Sequence, residues 1–257
     1  MKHIAGNTYT TRIGYTDIGI YVDGNSAILI DTGSEEKTSL LTLLENHHLT
    51  PRAIINTHLH IDHIGCNKLL QEKFKCLAYC PMEEIEDARY DAGFVCPDAP
   101  DGPCTTIPLP GHSVAHQGVV TPDGVCFVGD AIMSVRSKMP YHLNVGKALE
   151  SMKRICDLPY PYFVLSHMGA YDRDNAHRIA EKNIQKEQER LDLIIELCAH
   201  KIKTEKLAAI FMDKLNISRE NQDVFWVMDT AMARIRELDR QGRIELKYGY
   251  AALSTKK

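Results

Sequence analysis

Thr57-His58-Leu59-His60-Ile61-Asp62-His63 places four metal-type donors within six residues of a 257-residue chain. Such a density of imidazole and carboxylate is costly to bury unless a cation satisfies it. The residues before it, Ala53-Ile54-Ile55-Asn56-Thr57, form a short apolar run consistent with a buried strand that feeds a loop. On an extended backbone side chains repeat every two residues, so His58 and His60 point the same way. Asp62 and His63 fall beyond the strand end, where a loop turns them toward a second point. One segment can therefore feed two adjacent metals. Imidazole nitrogen with carboxylate oxygen is a donor set suited to borderline divalent ions such as zinc.

Three later residues extend the pattern. His112 sits in Gly111-His112-Ser113, after a proline-rich loop. Asp130 follows the apolar run Val125-Cys126-Phe127-Val128, and His167 follows Tyr162-Phe163-Val164-Leu165. Asp31 closes Ala27-Ile28-Leu29-Ile30 in the same way. Functional groups placed just past apolar strands are typical of α/β architectures.

The surrounding chain agrees. Ile18 to Val22 and Ala27 to Asp31 flank Asp23-Gly24-Asn25 and read as a hairpin. Val119 to Thr121 and Val125 to Val128 read as a second. A helix is predicted over 34–47, with Ser34 as N-cap and Pro51 as its breaker, and further helices over 68–73 and 147–156. A strand is predicted over 76–80, and residues 91–111 read as an irregular loop because they are rich in Pro, Gly and Asp. Beyond residue 175 the pattern turns helical: 177–200, 204–215 with Thr204 as N-cap, and 221–241, then a small β-wing around Gly249.

Composition limits the alternatives. Hydrophobic residues are 44% and charged residues 25%, which excludes a disordered or fibrous chain. A net charge of −4 leaves no global footprint for nucleic acid or acidic membranes. The longest stretch without Asp, Glu, Lys or Arg, Gly102 to Pro122, is interrupted by prolines and histidines, so no membrane span is expected. Eight cysteines in this length are far below disulfide-scaffold density, and the N-terminal residues lack a signal-peptide core. Reduced thiols and a cytoplasmic location are expected. Cys76, Cys80, Cys96 and Cys104 depart from the paired spacing of zinc knuckles, in which two residues separate the cysteines of each pair. That argues against a zinc site built from these four thiolates.

In this order, Asp31 within Ile30-Asp31-Thr32-Gly33, the His58 to His63 motif, His112, Asp130 and His167 resemble the metallo-β-lactamase-fold superfamily, over roughly residues 10 to 175. The resemblance implies a four-layer αβ/βα sandwich with its site at one edge. It implies that His58, His60 and His112 hold one metal and Asp62, His63 and His167 a second, with Asp130 bridging. Two such ions, about 3.5–4 Å apart, activate a bridging hydroxide that attacks a carbonyl. Asp62 then orients that nucleophile or accepts its proton, while Asp31 and Thr57 hold the motif loop and fix imidazole orientation. Zinc is the expected metal, with iron or manganese as alternatives. The expected division is a catalytic domain over 1–182 and a helical, winged-helix-like module over 183–257. That module resembles the tail of lactamase-B-like endoribonucleases.

Tyr141, His142 and His116 are candidates for the substrate pocket. The tail shows no basic stripe or stacking platform, so packing or homodimerisation is favoured over nucleic-acid binding. The leading function is hydrolysis of a small thioester, ester, lactone or amide; length and tail also resemble hydroxyacylglutathione hydrolases. Phosphodiester cleavage uses the same two metals, but the acidic Asp98 to Asp101 loop argues against a polyanion. A mononuclear iron oxygenase of the persulfide dioxygenase type would use a subset of the ligands. A metal-binding regulator with a DNA-binding tail is the non-enzymatic alternative.

Overall fold

The computed structural model describes residues 1–34, 37–97, 102–217 and 224–254. Strands β1 (Lys2–Ala5), β2 (Thr8–Ile13), β3 (Thr16–Asp23) and β4 (Ser26–Ile30) form an antiparallel meander. Helix α1 (Lys37–Asn46) returns the chain to β5 (Thr50–Ile55), parallel to β4. Helices α2 (Ile61–Ile64) and α3 (Asn67–Phe74), strand β6 (Leu77–Tyr79), helix α4 (Met82–Glu86) and strand β7 (Val95–Cys96) complete a seven-stranded sheet in chain order. The second sheet contains β8 (Thr105–Pro108), β9 (Gln117–Val120), β10 (Val125–Phe127), β11 (Tyr162–Leu165) and β12 (Gly169–Asp172). Within it only β10 and β11 run parallel, joined through α5 (Val145–Asp157).

Strand alternation explains the layers. Ile28 and Ile30 on β4 and Ala53 and Ile55 on β5 meet Val119, Val125, Phe127 and Val164 of the other sheet. Their neighbours Leu29 and Ile54 face outward, onto Leu40 and Leu44 of α1 and Leu70 of α3. On the second sheet Cys126, Phe163 and Leu165 face outward, onto Ile155 of α5 and Ala176 and Ala180 of α6 (Arg173–Leu197). Helix, sheet, sheet and helix are thus four layers, each strand feeding two cores through its period of two. Gly19 on β3 makes room at the centre: a Cβ there would lie 2.5 Å from the Phe127 ring.

The tail comprises the second half of α6, then β13 (Ile202–Lys203), α7 (Thr204–Lys214), α8 (Val224–Arg240), β14 (Ile244–Lys247) and β15 (Tyr250–Leu253). Its strands form a three-stranded sheet, β13-β15-β14. Leu191, Ile194 and Cys198 of α6 belong to the tail core, with Leu207, Phe211, Ile235 and Leu238. One continuous helix therefore crosses residue 183 and changes packing partner there.

Both expected hairpins are present as β3–β4 and β9–β10. Three local expectations are corrected. Residues 91–111 are not wholly irregular, because β7 and β8 complete sheet edges. Pro51 lies inside β5, beside a register shift that accommodates its missing N–H. Lys203, with no side-chain cap, precedes α7, while the Thr204 N–H donates to Gly249 O of the wing at 2.9 Å. The Asp98–Asp101 loop, and the starts of the helices expected from 34 and 221, involve residues outside those described.

Candidate metal centre

The site lies where four strands end. β4 delivers Asp31, β5 delivers Asn56 to His58, β10 delivers Gly129 and Asp130, and β11 delivers Ser166 and His167. Asp31 adopts a left-handed conformation at φ 60°, which its contacts hold in place. Its carboxylate accepts from the Thr57 N–H (2.8 Å), the Thr57 hydroxyl (2.8 Å) and His63 Nδ1 (2.8 Å). Gly129, at φ 55°, lets β10 turn against the motif; a Cβ there would lie 2.4 Å from His116 Nε2 and 2.8 Å from Thr57.

The predicted donors fall into two groups, His58, His60 and His112, and Asp62, His63, Asp130 and His167, each with its ligand atoms within 4.8 Å of one another. Asp130 faces both: its carboxylate lies 3.1 Å from His167 Nε2, 3.5 Å from His63 Nε2 and 3.5 Å from His112 Nε2. Asp62 lies 3.5 Å from His167 Nε2 and 3.6 Å from His63 Nε2. Thr16 anchors Asp62 by donating to its carbonyl at 2.8 Å.

The outward ring nitrogens are occupied. His63 Nδ1 donates to Asp31, His112 Nδ1 to Tyr141 O (3.0 Å) and His167 Nδ1 to Tyr15 O (3.0 Å). The Thr57 hydroxyl, already donating to Asp31, accepts from His58 Nδ1 at 3.1 Å. The Nε2 atoms of these four rings are therefore the ones that face the centre, the orientation that metal-ligating histidines require.

Electrostatics separate the two groups. Burial drives His58 well below the ordinary imidazole pKa, and neighbouring rings add to this. Burial likewise lowers His60, and takes His112 to about 3. These three are neutral donors at pH 7. In the second group burial opposes charge, but Asp31 and Asp130 hold His63 well above its usual value, and Asp130 raises His167 to about 9. Burial would raise Asp130, yet His63 and His167 keep it well below the carboxylate range. Asp130 Oδ1 and His63 Nε2 are buried without a hydrogen-bond partner. His60 Nδ1 lies 3.0 Å from both His58 Nε2 and His112 Nε2, and one shared proton cannot satisfy three converging nitrogens. Divalent cations in the two groups would satisfy these atoms, so the donors fit the expected metals.

A cavity of about 270 Å³ opens beside the centre, lined by His60, Ile61, Asp62, Tyr90, His112, Tyr141 and Trp226. Tyr141 is thus on the cavity. The structure does not bring His116 or His142 to its described lining. His116 is buried beneath Asp130, whose N–H donates to its Nε2 at 3.1 Å. His142 is buried, its pKa lowered first by burial and then by Arg234 and Arg190. Cys76 and Cys104 belong to different cores, and no cluster among the described residues joins them to Cys80 and Cys96.

Several site residues carry no sequence signal. Asn56 donates to His63 O (3.3 Å) and accepts from Asn67 (2.9 Å), tying the motif loop to α3. Glu84 on α4 is buried and accepts from the Ala115 N–H (2.7 Å), bracing the loop after His112. The tail contributes a buried ionic clamp. Glu187 of α6 pairs with Arg234 of α8 at 2.7 Å and Arg190 at 3.2 Å, and Arg234 is fully buried. Arg190 donates to Lys138 O (2.9 Å) and Ser137 O (2.7 Å), and Arg234 to Pro140 O (3.1 Å). The clamp thereby holds the segment whose next carbonyl, Tyr141 O, orients His112.

Residues 11–167 match the Metallo-beta-lactamase superfamily. A hydroxyacylglutathione hydrolase of Nitrosomonas europaea is 28% identical over 201 residues, covering 71% of this chain and 75% of that protein. One from Hyphomonas neptunium is 31% identical over 138 residues, covering 51% and 53%. With several of these relatives the match spans only a little over half of their length. Among solved structures, a metallo-beta-lactamase family protein from Thermus thermophilus superposes with a TM-score of 0.74 at 17% identity, covering 96% of this chain and 98% of that one. A beta-lactamase domain protein from Burkholderia ambifaria gives 0.73 at 18% identity, covering 97% and 93%. The likeness in fold thus includes the tail.

Proposed function

Because this chain belongs to the metallo-beta-lactamase superfamily, we propose that it is a metal-dependent hydrolase of a small thioester or ester, with lactones and amides as chemical neighbours. The observation that carries this reading is the convergence of seven donors in two groups around the shared Asp130. The names of the curated relatives, hydroxyacylglutathione hydrolases, support thioester cleavage.

His58, His60 and His112 would hold one ion, and Asp62, His63 and His167 the other, with Asp130 between them. Zinc suits this imidazole and carboxylate set. Divalent cations there would supply Lewis acidity, lowering the pKa of a bound water toward neutrality and stabilising negative charge on the carbonyl oxygen. The chain's residues do the rest. Asp31 and Thr57 keep the rings presented through their Nε2 atoms. Asp62, whose side chain is 29% exposed, is the carboxylate that meets both the centre and the cavity, and it is placed to accept a proton from the attacking water. Hydrolysis adds that water across the C–S or C–O bond and releases an acid with a thiol or alcohol.

The test compares metal-loaded and chelator-treated protein on a thioester, followed by thiol release, and on bis-p-nitrophenyl phosphate. The reading expects metal-dependent thioester cleavage at least about tenfold faster than diester cleavage. Preference for the diester would favour phosphodiester chemistry, and oxygen uptake with iron would favour the oxygenase.

A further inference from the structure

The cavity beside His60 has one wall that the superfamily match does not reach. Trp226 lies on α8 of the tail, outside residues 11–167. Its ring centroid is 4.9 Å from Tyr141 and 5.9 Å from His60, both edge-on, so one aromatic face spans from the tail to a candidate metal ligand. The Arg89 guanidinium lies 5.5 Å from the Trp226 ring centroid, on the side where a small recess joins Arg89 to His60 and Tyr141. Arg89 is exposed and makes no ion pair with any described residue. Ile61, Asp62, Tyr90 and His112 complete the described lining.

These groups define a ligand chemistry. An edge-to-face aromatic wall favours a planar or apolar group, and a cation beside it favours one anionic charge. Glutathione is a poor match: its body carries two carboxylates, an ammonium and two amides, and capturing it calls for several paired polar partners. The described lining is mainly aromatic and aliphatic apart from Asp62 and two histidines, and the one cation beside it, Arg89, stands in the adjoining recess. We propose that this cavity recognises the body of the substrate, and that the substrate class is an ester or thioester bearing a planar apolar group and a single anionic group. The inference rests on the hydrolytic reading for what is done at the carbonyl, but not for what binds.

Trp226 is the chain's single tryptophan, so intrinsic fluorescence reports on this wall directly. Metal-loaded protein is titrated with 1-naphthoate, acetate and S-methylglutathione. Acetate shares the carboxylate and corrects for binding at the metals. The expected result is saturable perturbation of Trp226 by naphthoate, with affinity at least about tenfold above acetate. S-methylglutathione should bind no more tightly than acetate. By calorimetry, Trp226→Ala should remove the naphthoate advantage, Trp226→Phe should restore most of it, and Arg89→Gln should weaken naphthoate roughly fivefold. The proposal is overturned if naphthoate binds no better than acetate, or if S-methylglutathione binds more tightly than naphthoate. Naphthoate binding without thioester cleavage would sink the hydrolase reading alone. Cleavage of a glutathione thioester without naphthoate binding would sink this inference alone.

Discussion

The two halves of the centre are built on opposite electrostatic plans. His58, His60 and His112 are imidazoles that burial keeps neutral, and His58 and His112 are 0% and 4% exposed. The other half carries two carboxylates and opens to solvent, with side-chain exposures of 29% at Asp62 and 24% at His167. A cation in the first half meets no charge of its own except Asp130; one in the second meets both carboxylates. Under the proposed hydrolysis, a metal in the neutral half would be suited to polarising a substrate oxygen, and one in the other half to generating the nucleophile. Asp130 is the only donor in the two groups whose carboxylate faces rings of both.

That asymmetry can be broken most severely at the shared residue. Asp130→Ala should empty both halves together, cutting thioester turnover by about a thousandfold or more and bound metal below one per chain. Elemental analysis beside initial rates checks it. If only one half empties, Asp130 does not join them.

Next in size is the clamp behind the neutral half. Arg234→Met leaves Glu187 buried with one partner removed, which should cost about 3–5 kcal/mol in urea unfolding. It should also loosen the metal held by His112, because Pro140 O loses its donor beside Tyr141. Replacing both partners, Glu187→Leu with Arg234→Met, should recover most of the stability. Equal losses in single and double variants would contradict the clamp.

A smaller effect is expected at Asp31, which supports the anionic half through His63. Asp31→Asn keeps the shape but weakens the imidazole it orients, and metal affinity there should fall about 10- to 100-fold. Competition with a chromophoric chelator reads this directly.

The smallest effect sharpens the comparison in the metal-free protein. His63 and His167 bind protons more tightly folded than unfolded, so their stabilisation is fully present below pH about 6.5. It is lost as the pH rises, through about 9 in the case of His167. His58, His112, His116 and His142 stay neutral in the fold, while the unfolded chain protonates them below about 6.5. Stability of the metal-free protein should therefore peak near pH about 6.5, fall on the alkaline side through the anionic half, and fall on the acid side through the buried neutral rings. Urea midpoints between about pH 5 and 9 measure it, and a flat profile would contradict these shifts.

The centre is legible in the sequence because its residues recur where apolar strands stop, a pattern visible in linear order from Asp31 to His167. The tail's contribution is not. Glu187 and Arg190 are three apart on a helix, a spacing that does not reveal their burial; the packing of α8 sets them against Arg234. Trp226 lies far along the chain from His60, and its helical pattern says nothing about the cavity it reaches. His116 and His142 read as pocket candidates by proximity to motif residues, but tertiary packing turns both inward. Side chains that meet through tertiary contact between distant helices leave no local period or spacing to find.

The central claim is that this chain works through two metals joined by Asp130. Elemental analysis of purified, stripped and reconstituted protein, with thioester hydrolysis followed on the same samples, tests it most directly. Two equivalents of zinc per chain, with activity lost on stripping and regained on reconstitution, is the predicted result. Full activity in the stripped protein, or a single iron with oxygen uptake in place of hydrolysis, would contradict it.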